Sequence, residues 1–138
     1  MHHTISVLVV NQSGVLSRIS GLFSGRGFNI ESLNVAETND PGISRMTIVT
    51  RGDDKKIEQV TKQLNKLVDV IKGIDLTEEN FVDRELILVK MNAEARVREE
   101  ILRIVDIFRA KVIDVNSDTY TVEITGDECK TKGFLDLL

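Results

Sequence analysis

The sequence predicts an α+β chain built as two βαββαβ units, the second short of its last strand, and three observations lead there. β-prone apolar runs alternate with segments whose apolar residues recur every three or four positions, so strand and helix periods trade places along the chain. Turn residues separate consecutive strands in both halves: Asp40, Pro41 and Gly42 in the first, Asn116, Ser117 and Asp118 in the second. A polar break at Thr77, Glu78, Glu79 and Asn80 divides two runs that open with the same order of elements.

Residues 4–10, TISVLVV, are nearly all apolar and β-branched, which predicts a strand in the middle of a sheet, buried on both faces or nearly so. Asn11, Gln12, Ser13 and Gly14 break the run, with Ser13 expected to cap a helix on which Val15, Leu16, Ile19, Leu22 and Phe23 form one apolar face. Gly25 and Gly27, either side of Arg26, are expected to stop it. Residues 28–37 and 43–50 read as an antiparallel hairpin. Gly52 and Asp53 open a second helix with Ile57, Val60, Leu64 and Leu67 at helical spacing, and Val68, Val70, Ile71 and Ile74 give a fourth strand. After the break come a strand at 84–91, RELILVKM, and a helix marked by Val97, Ile101, Ile104, Val105 and Phe108. Strands at 112–115 and 120–125 follow, then a helix from Asp127 carrying Phe134, Leu135, Leu137 and Leu138. Domains are therefore expected at 1–76 and 81–138. Without a final strand the one at 84–91 keeps an open edge, so the natural chain is expected to continue past Leu138, or another chain to complete the sheet.

Composition narrows the function. With 41% hydrophobic and 29% charged residues the 138-residue chain is globular. Eighteen basic against 22 acidic residues, 4% aromatics and no Trp argue against nucleic acid. No apolar run nears the roughly 20 residues of a membrane span, and the lone Cys129 allows no internal disulfide, so a cytoplasmic protein is expected. Catalytic groups are hard to assemble. His2 and His3 read as a fraying terminus, and Ser13, Ser17 and Ser20 lack evident His and acid partners. Asp53 and Asp54 sit at a helix start, where the helix dipole accounts for them. No metal cluster is expected, and the glycines form neither a dinucleotide nor a phosphate-loop motif.

The turn at residues 11–16 offers something else. Free backbone N–H groups at a helix start suit a carboxylate, Gly14 lets a ligand near the backbone, and the Asn11 side-chain carbonyl can accept from an ammonium group. Asn29, after the second glycine turn, adds another amide. Together they suit a small zwitterion.

Asn11, Ser13, Gly14, Leu16, Ser17, Arg18, Ile19, Leu22, Phe23, Arg26, Gly27, Asn29, Ile30, Glu31 and Ser32, with Ser44, Arg45, Met46 and Thr47, closely resemble the N-terminal ACT domain of the regulatory (small) subunits of acetohydroxyacid synthase, also called acetolactate synthase. KQLNKLVDVIK, RELILVK, FRAKVIDV and YTVEITG extend the resemblance over essentially the whole chain. It implies two ferredoxin-like domains, the first binding an amino-acid effector and dimerising side by side. It further implies a non-catalytic subunit that activates a catalytic (large) subunit and confers feedback inhibition, usually by valine, in branched-chain amino-acid synthesis. Thiamine diphosphate, Mg2+ and FAD belong to that catalytic partner, with no cofactor on this chain. The matching effector positions are Asn11, Gly14, Val15 and Leu16, with Asn29 and Ile30 from a neighbouring chain, and Ser17 matches a position tied to feedback sensitivity. A free-standing amino-acid sensor controlling another enzyme or a transcription factor is the alternative. An enzyme on a ferredoxin-like scaffold is the third reading.

Overall fold

The computed structural model describes residues 2–138, which pack as two units, one running to Phe81 and the other Val82–Leu138. The first contains β1 (His2–Val10), α1 (Val15–Gly25), β2 (Ile30–Glu37), β3 (Ile43–Arg51), α2 (Asp54–Lys66) and β4 (Val70–Asp75). Its antiparallel sheet has the order β2-β3-β1-β4, with Val7 of β1 facing Met46 on one side and Gly73 on the other. That is the ferredoxin-like arrangement the sequence predicts.

β1 is central, as expected, but buried on one face only. His3, Ile5, Val7 and Val9 are buried while Thr4, Ser6, Leu8 and Val10 between them are half-buried, because both helices lie on the same side of the sheet. Ile5, Ile19, Phe23, Ile48, Ile57 and Leu64 form the centre of the core. Two further expectations fail locally. Leu16, placed on the core face of α1, is 43% exposed in the first turn. Val68, assigned to β4, is 98% exposed and precedes that strand, which starts at Val70.

The expected fraying terminus is also corrected. His2 and His3 belong to β1, opposite Arg51 and Thr50, and His3 is 3% exposed. Its Nδ1 lies 2.8 Å from Asp75 and its Nε2 3.1 Å from Asp54, a geometry that brings Nε2 within ion-pair reach but off the line of a hydrogen bond. One imidazole thus ties β1 to β4 and to the start of α2. Burial pushes the Asp75 carboxyl up, but the Thr77 hydroxyl and amide, then His3, outweigh it and hold the pKa below the ordinary 3.8. A lowered folded pKa contributes stability that is present above the ordinary value and lost as pH falls through the folded one. Denaturant midpoints of this unit are expected to fall below pH ~4, and Asp75→Asn to remove part of that dependence.

In the second unit, β5 (Glu85–Asn92), α3 (Arg98–Ile107), β6 (Lys111–Val115), β7 (Thr119–Gly126) and α4 (Glu128–Leu137) give a three-stranded antiparallel sheet of order β5-β7-β6. Tyr120, Val122 and Ile124 of β7 meet Ile101, Val105 and Phe134 in its core. Among the described residues β5 pairs with β7 alone, so its outer edge is open where β1 has β4. Leu135, Leu137 and Leu138 stay at the surface; Thr131 and Phe134 are what α4 buries. Arg98 secures one end of the unit, donating from Nε to the Ala93 carbonyl at 2.8 Å and from its guanidinium to the Ser117 carbonyl, while covering the Tyr120 ring.

α1 and α3 end alike. Phe28 N–H bonds the Phe23 carbonyl and Gly27 N–H the Ser24 carbonyl; Ala110 and Arg109 make the equivalent bonds to Val105 and Asp106. Both are Schellman closures, which require a left-handed residue, supplied by Gly27 at φ +77° but by Arg109 at φ +54°. Relieving the Cβ clash outweighs the added freedom of the unfolded chain, so Arg109→Gly is expected to stabilise the second unit by about 0.5–1 kcal/mol in denaturant unfolding.

Candidate functional site

The turn between β1 and α1 is held by backbone bonds from two directions. Val10 N–H donates to the Asp69 carbonyl and Asn11 N–H to the Gly42 carbonyl, both at 2.9 Å, so the end of β1 is fixed against the β2–β3 hairpin and the approach to β4. Asn11 Nδ2 donates to the Pro41 carbonyl at 2.9 Å. The donor side of that amide is therefore spent on the hairpin, and its Oδ1 accepts no bond among the described residues.

Gly14, not Ser13, occupies the cap position of α1. Its φ of +85° and ψ of −12° are left-handed, and no side chain caps the helix. Ser is the better cap by local preference, but the chain turns here through a conformation that glycine adopts without strain. The first intrahelical bond is Arg18 N–H to the Gly14 carbonyl at 3.1 Å, which leaves the N–H groups of Val15, Leu16 and Ser17 without helical partners. No acidic residue lies in this first turn. By contrast Asp53 and Asp127 cap α2 and α4 through their side chains, and Glu99 and Glu100 stand in the first turn of α3. The α1 terminus alone combines bare donors with no carboxylate of its own.

Arg18 stands one turn along, its charge paired with Asp69. Its Nε is 3.1 Å from Asp69 Oδ2, and a Cβ on Gly14 would lie 3.6 Å from its guanidinium. Exposed Leu16 and Ser17 flank the turn, while the Val15 side chain is buried and only its backbone faces the site.

Asn29 and Ile30 stand elsewhere. They follow the Gly27 turn at the far end of α1, whose eleven residues span about 16 Å. The Asn29 carbonyl accepts from Thr50 Oγ1 at 2.7 Å, its side chain is exposed, and Ile30 packs half-buried on the core. Asn11, Gly14, Val15, Leu16 and Ser17 therefore come together, whereas Asn29 and Ile30 do not join them within one chain. Sequence reasoning missed Arg18, the Pro41 carbonyl that orients Asn11, and two side chains on β2. Leu33 and Val35 oppose Ile48 and Met46 on the helix-covered face of the sheet, yet each is 41% exposed because β2 is the edge strand. Leu33 and Val35 could have been placed by pairing β2 with the buried face of β3, which carries Met46 and Ile48.

No helix is long and apolar enough to cross a membrane among the described residues.

A four-stranded unit of this order, with a glycine turn opening its first helix, is the frame of an ACT domain, and a family model described as "AHAS small subunit-like ACT domain" matches residues 5–72. A second, described as "Small subunit of acetolactate synthase", matches residues 84–138. The chain is 53% identical over 138 residues to the probable acetolactate synthase small subunit of Archaeoglobus fulgidus, spanning 100% of this chain and 86% of that one. It is 51% identical over 135 residues to the acetolactate synthase isozyme 3 small subunit of Escherichia coli, spanning 98% and 83%. The crystal structure of the acetolactate synthase small subunit from Thermotoga maritima superposes with a TM-score of 0.90 at 44% identity, covering 100% of this chain and 86% of that one. The chain belongs to the family of acetolactate synthase small subunits. An ACT domain within such a subunit marks a regulatory role.

Proposed function

We propose that this chain activates the catalytic subunit of acetolactate synthase and confers on it feedback inhibition by valine. The observation that carries this reading is the bare N-terminus of α1. The free amides of Val15, Leu16 and Ser17 suit the amino acid's carboxylate, Asn11 Oδ1 suits its ammonium, and exposed Leu16 offers an apolar wall.

The site is completed by a second chain. Two first units pair through their β2 edges, covering Leu33 and Val35, and Asn29 and Ile30 of one chain meet the Gly14 turn of the other. The separation of the two half-sites along α1 supports this, since one small ligand cannot bridge about 16 Å. Residues 1–76 form the effector-binding and dimerising domain and 81–138 the appended ferredoxin-like domain. Thiamine diphosphate, Mg2+ and FAD are held by the catalytic subunit, and the holoenzyme is cytoplasmic. Inhibition requires valine to bind an inhibiting state of the holoenzyme more tightly than an activating one.

Reconstitution tests this. Adding the chain to the catalytic subunit should raise acetolactate formation, and valine should reverse the gain. Valine that binds and leaves activity unchanged would remove the feedback half of the proposal. A chain that binds valine and does not alter activity is instead a free-standing sensor.

A further inference from the structure

An open groove of about 520 Å³ runs between the C-terminal half of α1 and the N-terminal half of α2, lined by Gly21, Leu22, Gly25, Arg26, Phe28, Lys56 and Gln59. We infer that this groove docks an amphipathic, carboxylate-bearing segment of the catalytic subunit, an inference that rests on the regulatory reading above.

Charge is the first argument. Arg26 and Lys56 flank an apolar floor made by Leu22 and Phe28, and neither cation enters an ion pair or side-chain hydrogen bond among the described residues. The acids that could neutralise Lys56 on its own stretch of α2 are engaged elsewhere. Asp53 caps the helix, Asp54 faces His3 at 3.1 Å, and Glu58 faces Lys62 at 3.3 Å. A basic rim thus persists on a chain whose net charge is -4. An occupant bringing carboxylates over an apolar face fits it, and a neutral or basic one does not.

The backbone gives the second argument. Gly21 and Gly25 lie one turn apart on α1, and a Cβ at either would meet nothing within 4 Å. Packing inside the chain therefore does not require glycine at either place, and glycine in a helix interior weakens it relative to alanine. Bare backbone on a groove wall lets a partner helix approach at the short end of ordinary interaxial distances. Position adds a consequence. Arg26 and Phe28 on the groove and Asn29 and Ile30 of the effector half-site belong to one short segment through Gly27, so docking and effector binding act on the same turn, and coupling between them is reciprocal.

The test uses Gly21→Gln, which fills the groove, and the double variant Arg26→Glu with Lys56→Glu, which reverses its rim. Each is titrated into purified catalytic subunit, with binding read by sedimentation and activation by acetolactate formation, while valine binding and self-association of the variant alone are measured in parallel. Both are expected to raise the concentration needed for half-maximal binding at least about tenfold, as for a central interface contact, with the self-association of the chain intact. Unchanged binding to the catalytic subunit by both variants overturns the groove. So does loss of self-association, which makes a second copy of this chain the occupant. Wild-type chain that binds without raising activity sinks the regulatory reading and leaves the groove standing if the variants fail to bind.

Discussion

Gly14→Asp is expected to lower valine affinity about 30- to 100-fold, the factor that corresponds to roughly 2–3 kcal/mol of like-charge juxtaposition. The new carboxylate would occupy the approach that the bare α1 amides keep open. It would also sit within reach of the Arg18 guanidinium, 3.6 Å from the added Cβ, and compete with Asp69 for it. Its effect on folding is smaller. Asp tolerates the left-handed region better than most residues, so the φ of +85° costs about 1 kcal/mol. Calorimetric titration of folded variant with valine separates the two effects. Asn29→Ala should weaken binding less, since it removes one uncharged partner; an unchanged valine affinity in Gly14→Asp would take this turn out of the site.

Phe134→Ala is expected to unfold the second unit and spare the first. Phe134 is fully buried and meets Phe108 edge-on, with ring centroids 5.5 Å apart. Removing such a ring costs about 3–5 kcal/mol. A three-stranded unit of about 60 residues has a total stability of roughly 3–9 kcal/mol, so the loss takes most of it. Hydrogen exchange should then show β7 amides unprotected while those of β1 keep their protection. Loss of protection in both units together would mean that they fold as one.

Much of the architecture was legible because it rests on local period. Most helices and strands follow from apolar spacing, though α4 buries Thr131 and Phe134 rather than its leucines, and the Asp40, Pro41, Gly42 turn fixes the β2–β3 hairpin. What local reasoning missed depends on partners distant in sequence. His3 looks like terminal sequence until Asp54 and Asp75 close around it. Leu33 and Val35 look like ordinary strand residues until the sheet order puts β2 on the edge. The helix cap failed for a different reason: Ser13 satisfies the side-chain preference, but the backbone path needs positive φ at Gly14, and path outranks preference. At the candidate site, Asn11 and Gly14 stand out as strand-to-helix turn chemistry. Asn29 was legible only as a further amide after the Gly27 turn; no periodicity relates it to Asn11 and Gly14, and its assignment to a neighbouring chain came from the resemblance alone.

The length of α1 sets a rule for how such a sensor responds. A stiff rod of eleven residues holds Gly14 and Asn29 too far apart for any free amino acid to touch both. If the effector site is shared between two chains as proposed, a solitary chain offers only half the contacts, however much ligand surrounds it. Occupancy of such a shared site would then depend on how many copies are present as well as how much amino acid, with the apparent affinity expected to sharpen as the protein is concentrated and to fade on dilution.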